Sequence, residues 1–493
     1  METVKRESGI LLPVSSIPSR YGIGTFGSAA YRWIDFLAAA GQRWWQVLPM
    51  GPTSYGDSPY QSFSTFAGNP YFIDFEMFLE KGWLTAAECD GVDFGGCASY
   101  VDYERQYKER YPLLRTAFSR SRIGEWEEYR AFTERNRSWL EDYALFMALK
   151  EQHGGASWQE WPQPLKRREP QALKQAREAL AEDVAFWKFI QFIFFYQWNY
   201  LKAYAIQKNV RIIGDLPIYV ALDSADVWAN PALFQLDEML EPTFVAGCPP
   251  DAFSATGQLW GNPLYEWDVH EKRGYDWWIA RVKAAFALFD KVRIDHFRGF
   301  DAYWAVPFGD STAEKGSWRK GPGMKLFDRV RETLGEPAII AEDLGILTDS
   351  VYDLLNRSGY PGMKVLQFAF SGGDNDYLPH HHTVNSVVYT GTHDNDTTAG
   401  WFASLHEKEQ SYVLEFLGAP RERLTERLIA AALESVSQLC VIPMQDWLGL
   451  GGEARMNTPS TLGENWKWRL TPEQLSPALS DRIRHMTELY QRL

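Results

Sequence analysis

Eight apolar runs, each closed by polar, Gly or Pro residues, recur along the chain and restrict its fold more than any other feature. They lie at 9–16 (GILLPVSS), 43–50 (RWWQVLPM), 211–218 (RIIGDLPI), 290–297 (DKVRIDHF), 338–345 (AIIAEDLG), 363–370 (MKVLQFAF), 385–392 (NSVVYTGT) and 438–445 (QLCVIPMQ). Each is apolar nearly throughout rather than in alternation, the pattern of strands covered on both faces. Helical patterns fill the intervals: 30–41 behind Ser28 as cap, 276–289, 324–335, 349–359 and 421–437. Strands alternating with helices in this number predict an α/β fold, the (β/α)8 TIM barrel. An open doubly wound sheet is the alternative. It wants a Gly-rich phosphate turn after its first strand, and SRYGIGTFG at 19–27 has the wrong spacing.

The alternation is interrupted. About 160 residues separate the second and third runs, far more than a connection needs. We read 1–493 as a single catalytic barrel with a mostly helical insert at 68–208, between the second and third strands, and another insert at 219–275. Long insertions at a barrel rim form substrate walls. Segment 241–263 is rich in Pro, Gly and Ser and reads as a loop, with a substrate lid at 249–263. The greasiest stretch, 186–198, is too short to span a bilayer and contains Lys188, Gln191 and Gln197, so it reads as a buried helix.

Four acids stand where strands end: Asp215 after RIIG, Asp295 after KVRI, Glu342 after AIIA, and Asp394 closing SVVYTGTH. One rim of a parallel barrel would bring them together. A neutral carboxyl beside an ionised one is the equipment of retaining glycoside chemistry. Arg293 lies two residues before Asp295, on the same strand face, and is expected to hold it ionised as the nucleophile. Glu342 follows an apolar strand that would raise its pKa, as a general acid/base requires. The same residues admit plainer readings: a structural ion pair for Arg293 and Asp295, and helix N-terminal charges for Glu342 and Asp343.

A net charge of −14 disfavours nucleic acid and anionic membrane surfaces as partners and leaves neutral substrates open. The 15% aromatic content, with 21 Trp, suits either sugar-ring contacts or a large aromatic core. Cys89, Cys97, Cys248 and Cys440 are dispersed without zinc-like spacing and are expected as thiols in a reducing compartment, with a Cys89–Cys97 pair as the alternative. The N-terminal stretch lacks the apolar segment of a secretory signal, so a cytoplasmic protein is expected. His380, His381 and His382 are consecutive and cannot all converge on one ion, and a solvated turn is expected there.

The motifs VRIDHFRGF (292–300), AEDLG (341–345) and TGTHDNDT (390–397) resemble the active-site motifs of the 4-α-glucanotransferases, the amylomaltases or disproportionating enzymes of the α-amylase clan. Segments 58–74, 214–220, 249–263 and 445–469 match the same family, so the resemblance spans nearly the whole chain. It implies Asp295 as nucleophile, Glu342 as acid/base and Asp394 as a third carboxylate that binds sugar hydroxyls in the transition state. Arg293 and His393 flank these positions, and Asp215 would bind sugar at the cleavage point. Tyr60 and Trp260 match aromatic contacts and His296 a substrate-contacting histidine; Ser58 and Gln258 are weaker matches. The implied activity is transfer of an α-1,4-glucan segment to the 4-hydroxyl of another glucan or of glucose. After Asp215 the Asn-His pair of calcium-dependent α-amylases is missing, with Pro217 and Tyr219 nearby instead, so no metal or cofactor is expected. An α-glucan hydrolase using the same acids and a non-catalytic glucan-binding barrel are the competing readings.

Overall fold

The structure, a computed structural model, describes residues 5–54, 56–250, 254–345 and 347–493. Among the described residues the strands are β1 (Glu7–Leu11), β2 (Trp44–Gln46), β3 (Arg211–Leu216), β4 (Phe244–Cys248), β5 (Gln258–Pro263), β6 (Lys291–Ile294), β7 (Ala302–Pro307), β8 (Ser317–Lys320), β9 (Ile339–Ala341), β10 (Gly362–Val365), β11 (Ser386–Tyr389) and β12 (Leu439–Pro443). All eight apolar runs supply strands to one sheet, in the order β10-β11-β12-β1-β2-β3-β6-β9. Every ladder in it is parallel. Helices between the strands cover its outside, as the (β/α)8 pattern requires.

The two outer strands, β9 and β10, follow each other in the chain, and the sheet rolls until they meet. The Ala341 N–H donates to the Pro361 carbonyl at 3.0 Å, and Asp343 Oδ1 accepts from the Met363 N–H at 2.6 Å. A side-chain carboxylate thus completes the seam where the regular ladder stops. A Cβ on Gly362 would sit 2.3 Å from that carboxylate, so the close approach needs glycine.

Helix boundaries follow the sequence with small corrections. Ser28 is the first helical residue of Ser28–Ala39, not its cap, and Gly27 precedes it. The orphan N–H of the first turn is satisfied from elsewhere: Glu76 accepts from the Ser28 N–H at 3.1 Å and from its hydroxyl at 2.9 Å. The helical pattern at 421–437 resolves into a 3-10 turn, Arg421–Arg423, and a helix, Leu424–Glu434. Segment 241–263, read as loop, instead contributes β4 and β5 to a small antiparallel sheet of order β5-β4-β7-β8. Its Pro and Gly residues mark the connection and a register shift between Val245 and Gly247, while the flanking arms pair. Residues 251–253 of the expected lid lie outside the described residues. The histidine run is not wholly solvated either: His382 turns inward, its Nε2 bonded to the Tyr377 carbonyl at 2.9 Å and its Nδ1 meeting the Ser435 hydroxyl at 2.7 Å.

Between β2 and β3 the chain is mainly helical, and its longest member is Ala181–Gln207. Phe186, Phe189, Ile190, Ile193, Phe194 and Trp198 of this helix are all fully buried. Two glutamines interrupt the apolar surface for a specific reason. Gln191 accepts from the Gly68 N–H at 2.7 Å and donates to the Gly68 carbonyl at 2.9 Å. Gln197 does the same at Asp74, at 2.8 and 2.9 Å. Each amide satisfies both backbone groups of a single residue, so the rim segment after β2 is clamped onto the helix. Gly68 is pressed so near that a Cβ would lie 2.1 Å from the Phe194 ring. Replacing Gln191 by Leu is expected to destabilise the protein by about 2–4 kcal/mol, because both Gly68 groups would be left buried without partners. Denaturant melts would check this, and an unchanged midpoint would refute the clamp. No helix among the described residues is long and apolar enough to cross a membrane.

Candidate active site

The strand ends deliver the four acids to one rim. Asp215 lies within β3, and Asp295 directly follows β6, its N–H bonded to the Leu216 carbonyl at 3.0 Å. Glu342 directly follows β9, its N–H bonded to the Ile294 carbonyl at 3.0 Å. Neighbouring ladders therefore set where each side chain leaves the barrel.

The two central acids are joined by backbone geometry. His296, next to Asp295, adopts left-handed dihedrals, φ 49° and ψ 50°. A non-glycine residue pays about 1–3 kcal/mol for such strain. The turn aims its N–H at Glu342, whose Oε2 accepts it. The following Phe297 N–H returns to the Glu342 carbonyl at 3.0 Å. Glu342 is thereby seated against the peptide that follows Asp295.

Arg293 is buried, 3% exposed in its side chain, and mainly serves Asp215. Its Nη1 lies 2.7 Å from both Asp215 oxygens, while Nη2 reaches Asp295 Oδ1 at 3.2 Å. Tyr60 Oη also donates to Asp215 Oδ2, at 2.7 Å. The Tyr60 ring stacks on His393 with centroids 5.1 Å apart, and Trp466 tilts against both. His393 Nε2 reaches Asp394 Oδ2 at 3.3 Å. Asn457 Nδ2 donates to Asp394 Oδ1 at 2.6 Å, and Arg455 Nη2 holds the Asp394 carbonyl at 2.7 Å.

Trp260, on β5, meets His296 edge-to-face at 4.8 Å. Its indole N–H donates to Gln258 Oε1 at 3.1 Å. Ser58 Oγ accepts the Tyr60 N–H at 3.2 Å. Gln258 thus holds the Trp260 indole, while Ser58 holds the backbone of Tyr60.

The environments separate the acids electrostatically. Burial pushes Glu342 well above the ordinary carboxylate range; Arg293 opposes this and the charge of Asp295 adds to it. Burial also pushes Asp295 up, to about 6, with Arg293 and His393 opposing and Asp215 and Asp394 adding. The expectation that Arg293 would dominate Asp295 is therefore corrected: the guanidinium is committed to Asp215, and burial outweighs it. At Asp394 burial is overcome by His393, by the Asn457 amide and by Arg293, which hold it well below the usual range. His296 is lowered to about 3, first by burial and then by Arg298, so its ring is neutral. One carboxyl thus keeps its proton while a neighbour ionises, the division of labour that glycosidic cleavage needs.

All eleven site residues read from the sequence gather around this rim. Asn457, Arg455 and Trp466 were missed as individuals. They lie in the 445–469 segment that resembled the family, but an amide carries no chemistry until its partner is known.

The parallel barrel and the acids at its rim have the layout of an enzyme acting on glycosidic bonds. The 4-alpha-glucanotransferase profile of glycoside hydrolase family 77 matches residues 12–475. The chain belongs to this 4-alpha-glucanotransferase family. It is 49% identical to the 4-alpha-glucanotransferase of Streptococcus pneumoniae serotype 4 over 494 residues, covering 99% of this chain and 98% of that protein. Against the Thermus thermophilus 4-alpha-glucanotransferase the identity is 50% over 501 residues, covering 99% of each. The solved amylomaltase from Streptococcus agalactiae in complex with acarbose superposes with a TM-score of 0.96 at 40% identity, covering 99% of this chain and 100% of that one.

Proposed function

We propose that Asp295, Glu342 and Asp394 carry a retaining double displacement that moves a segment of an α-1,4-glucan onto the 4-hydroxyl of another glucan or of glucose. The observation that carries this reading is the seating of Glu342 on the His296 N–H, one residue from Asp295. An Asp295 oxygen attacks the anomeric carbon while Glu342 gives its proton to the departing sugar oxygen. The bond to the leaving sugar breaks and a β-linked glycosyl-aspartate forms. Glu342, now a carboxylate, takes the proton of the acceptor 4-hydroxyl. That oxygen displaces Asp295, and two inversions leave the α configuration.

Asp215, Arg293, Tyr60, His393 and Asp394 would hold the sugar being transferred. Trp260 and His296 would face the leaving and accepting sugars. Residues 249–263 would act as a lid within the 219–275 insert, and the 68–208 insert would support the rim, both keeping water from the intermediate. The acarbose bound by the Streptococcus agalactiae amylomaltase suits a groove of this kind. A cytoplasmic location belongs to the same reading, and none of the four cysteines is in a disulfide.

Incubation with purified maltotriose tests transfer against hydrolysis. Glucose and a ladder of longer chains, with a constant number of reducing ends, are expected. Reducing ends that rise without longer products would replace the reading with a hydrolase.

The pH profile follows from the two raised acids. Below about 6 Asp295 is protonated and cannot attack, so kcat/KM is expected to rise through that pH. It falls on the alkaline side, where Glu342 gives up the proton that the leaving sugar needs. A profile without an acid limb would remove Asp295 from the nucleophile's role.

A further inference from the structure

Among the described residues, Asp374, His380 and His381 form a group of metal-capable side chains whose donor atoms all lie within 4.8 Å of one another. They belong to the rim connection between β10 and β11, on the 3-10 turn Pro379–His381 and the segment before it. We propose that this connection binds one divalent transition-metal ion of the Zn2+ class through the Asp374 carboxylate and the imidazoles of His380 and His381.

The local fold brings these donors together. Pro379 opens the turn with a preset φ, and the His381 N–H closes it on the Leu378 carbonyl at 2.9 Å. His382 is drawn into the protein by Tyr377 and Ser435, so the run of imidazoles is divided: one points inward and two stay outside. The two outer rings are 4.5 Å apart between centroids. The Asn375 side chain accepts from the Tyr377 N–H at 3.0 Å and donates to the Ala369 carbonyl at 3.2 Å, folding the segment back. Asp374 consequently returns to His381, with Oδ1 2.6 Å from Nε2.

Donor chemistry selects the ion. Two imidazoles and one carboxylate suit zinc, copper or nickel better than magnesium or calcium, which prefer oxygen alone. Metal bonds of about 2.0–2.2 Å to each donor require only that side chains already within reach turn toward a common point, with water in the open position. A simple surface ion pair between Asp374 and His381 would leave the placement of His380 without a role. The overall charge of −14 also favours cation approach. The bound ion would tie together the two ends of segment 374–381, which carries Tyr377 edge-on to Phe368.

The test titrates zinc sulfate into the whole protein by calorimetry, with Cys97→Ser as the background because that thiol is exposed. One site is expected, and the double variant His380→Ala, His381→Ala should weaken it by at least about tenfold. Cobalt chloride gives a second readout, since d–d absorption bands report nitrogen and oxygen ligands. These bands should appear in the parent and vanish in the double variant and in Asp374→Asn. All three side chains are exposed, so circular dichroism and maltotriose transfer should match the parent without metal. Zinc affinity and cobalt bands that survive the histidine substitutions, or a parent that binds neither ion, would overturn the site.

Discussion

Asp295→Ala protein is expected to lose at least about 10,000-fold in transfer from maltotriose, roughly 5.5 kcal/mol of transition-state stabilisation, while still binding glucan. The binding groups survive because the Arg293 guanidinium keeps both contacts to Asp215 and Tyr60 keeps its own. Removing the carboxylate opens a small space on the face from which it would attack. Azide added with α-maltosyl fluoride should enter that space and give a β-maltosyl azide, the inverted product. An α-azide would place the nucleophile on another residue, and undiminished transfer would end the double-displacement mechanism.

Glu342→Gln protein should slow transfer from maltotriose by about 1,000-fold or more, because the leaving sugar oxygen departs unprotonated. With α-maltosyl fluoride the same variant should carry out the first step at nearly the parent rate, since fluoride needs no proton to leave. The second step still needs a base, so a glycosyl-enzyme should accumulate and be found by mass spectrometry on the peptide containing Asp295. The alkaline limb of the pH profile should disappear with the carboxyl group. Equal slowing on both donors would assign Glu342 to shaping the groove. Together the two variants separate the roles that burial alone makes similar, since both acids are raised by the same desolvation.

The barrel was legible because its strands are buried on both faces and cannot alternate; RIIG, KVRI and AIIA announce themselves, and the residue after each is the rim. The same logic put Asp295 and Glu342 directly after their strands, where the structure has them. It failed at β4 and β5, where QLWGN is a short rim strand with Leu259 40% exposed, so apolar continuity is lost. It also misjudged Arg293. Spacing by two puts the guanidinium on the right face, but which of two acids it grips depends on β3, a strand almost eighty positions earlier. Asn457 was invisible for a related reason: its bond to Asp394 spans 63 residues and no local pattern encodes it. Ser28 shows the reverse error, a good local cap signal overruled by the Glu76 carboxylate.

Seven parallel ladders knit the cylinder, whereas β9 and β10 are fastened by one amide-to-carbonyl link and the Asp343 latch. That join is the natural line of first parting, and Glu342, the proposed proton donor, sits one residue from the latch. Warming toward the limit of the fold would therefore unfasten the chemistry before it unravels the molecule, leaving a dead enzyme that still looks intact to a probe of bulk helix.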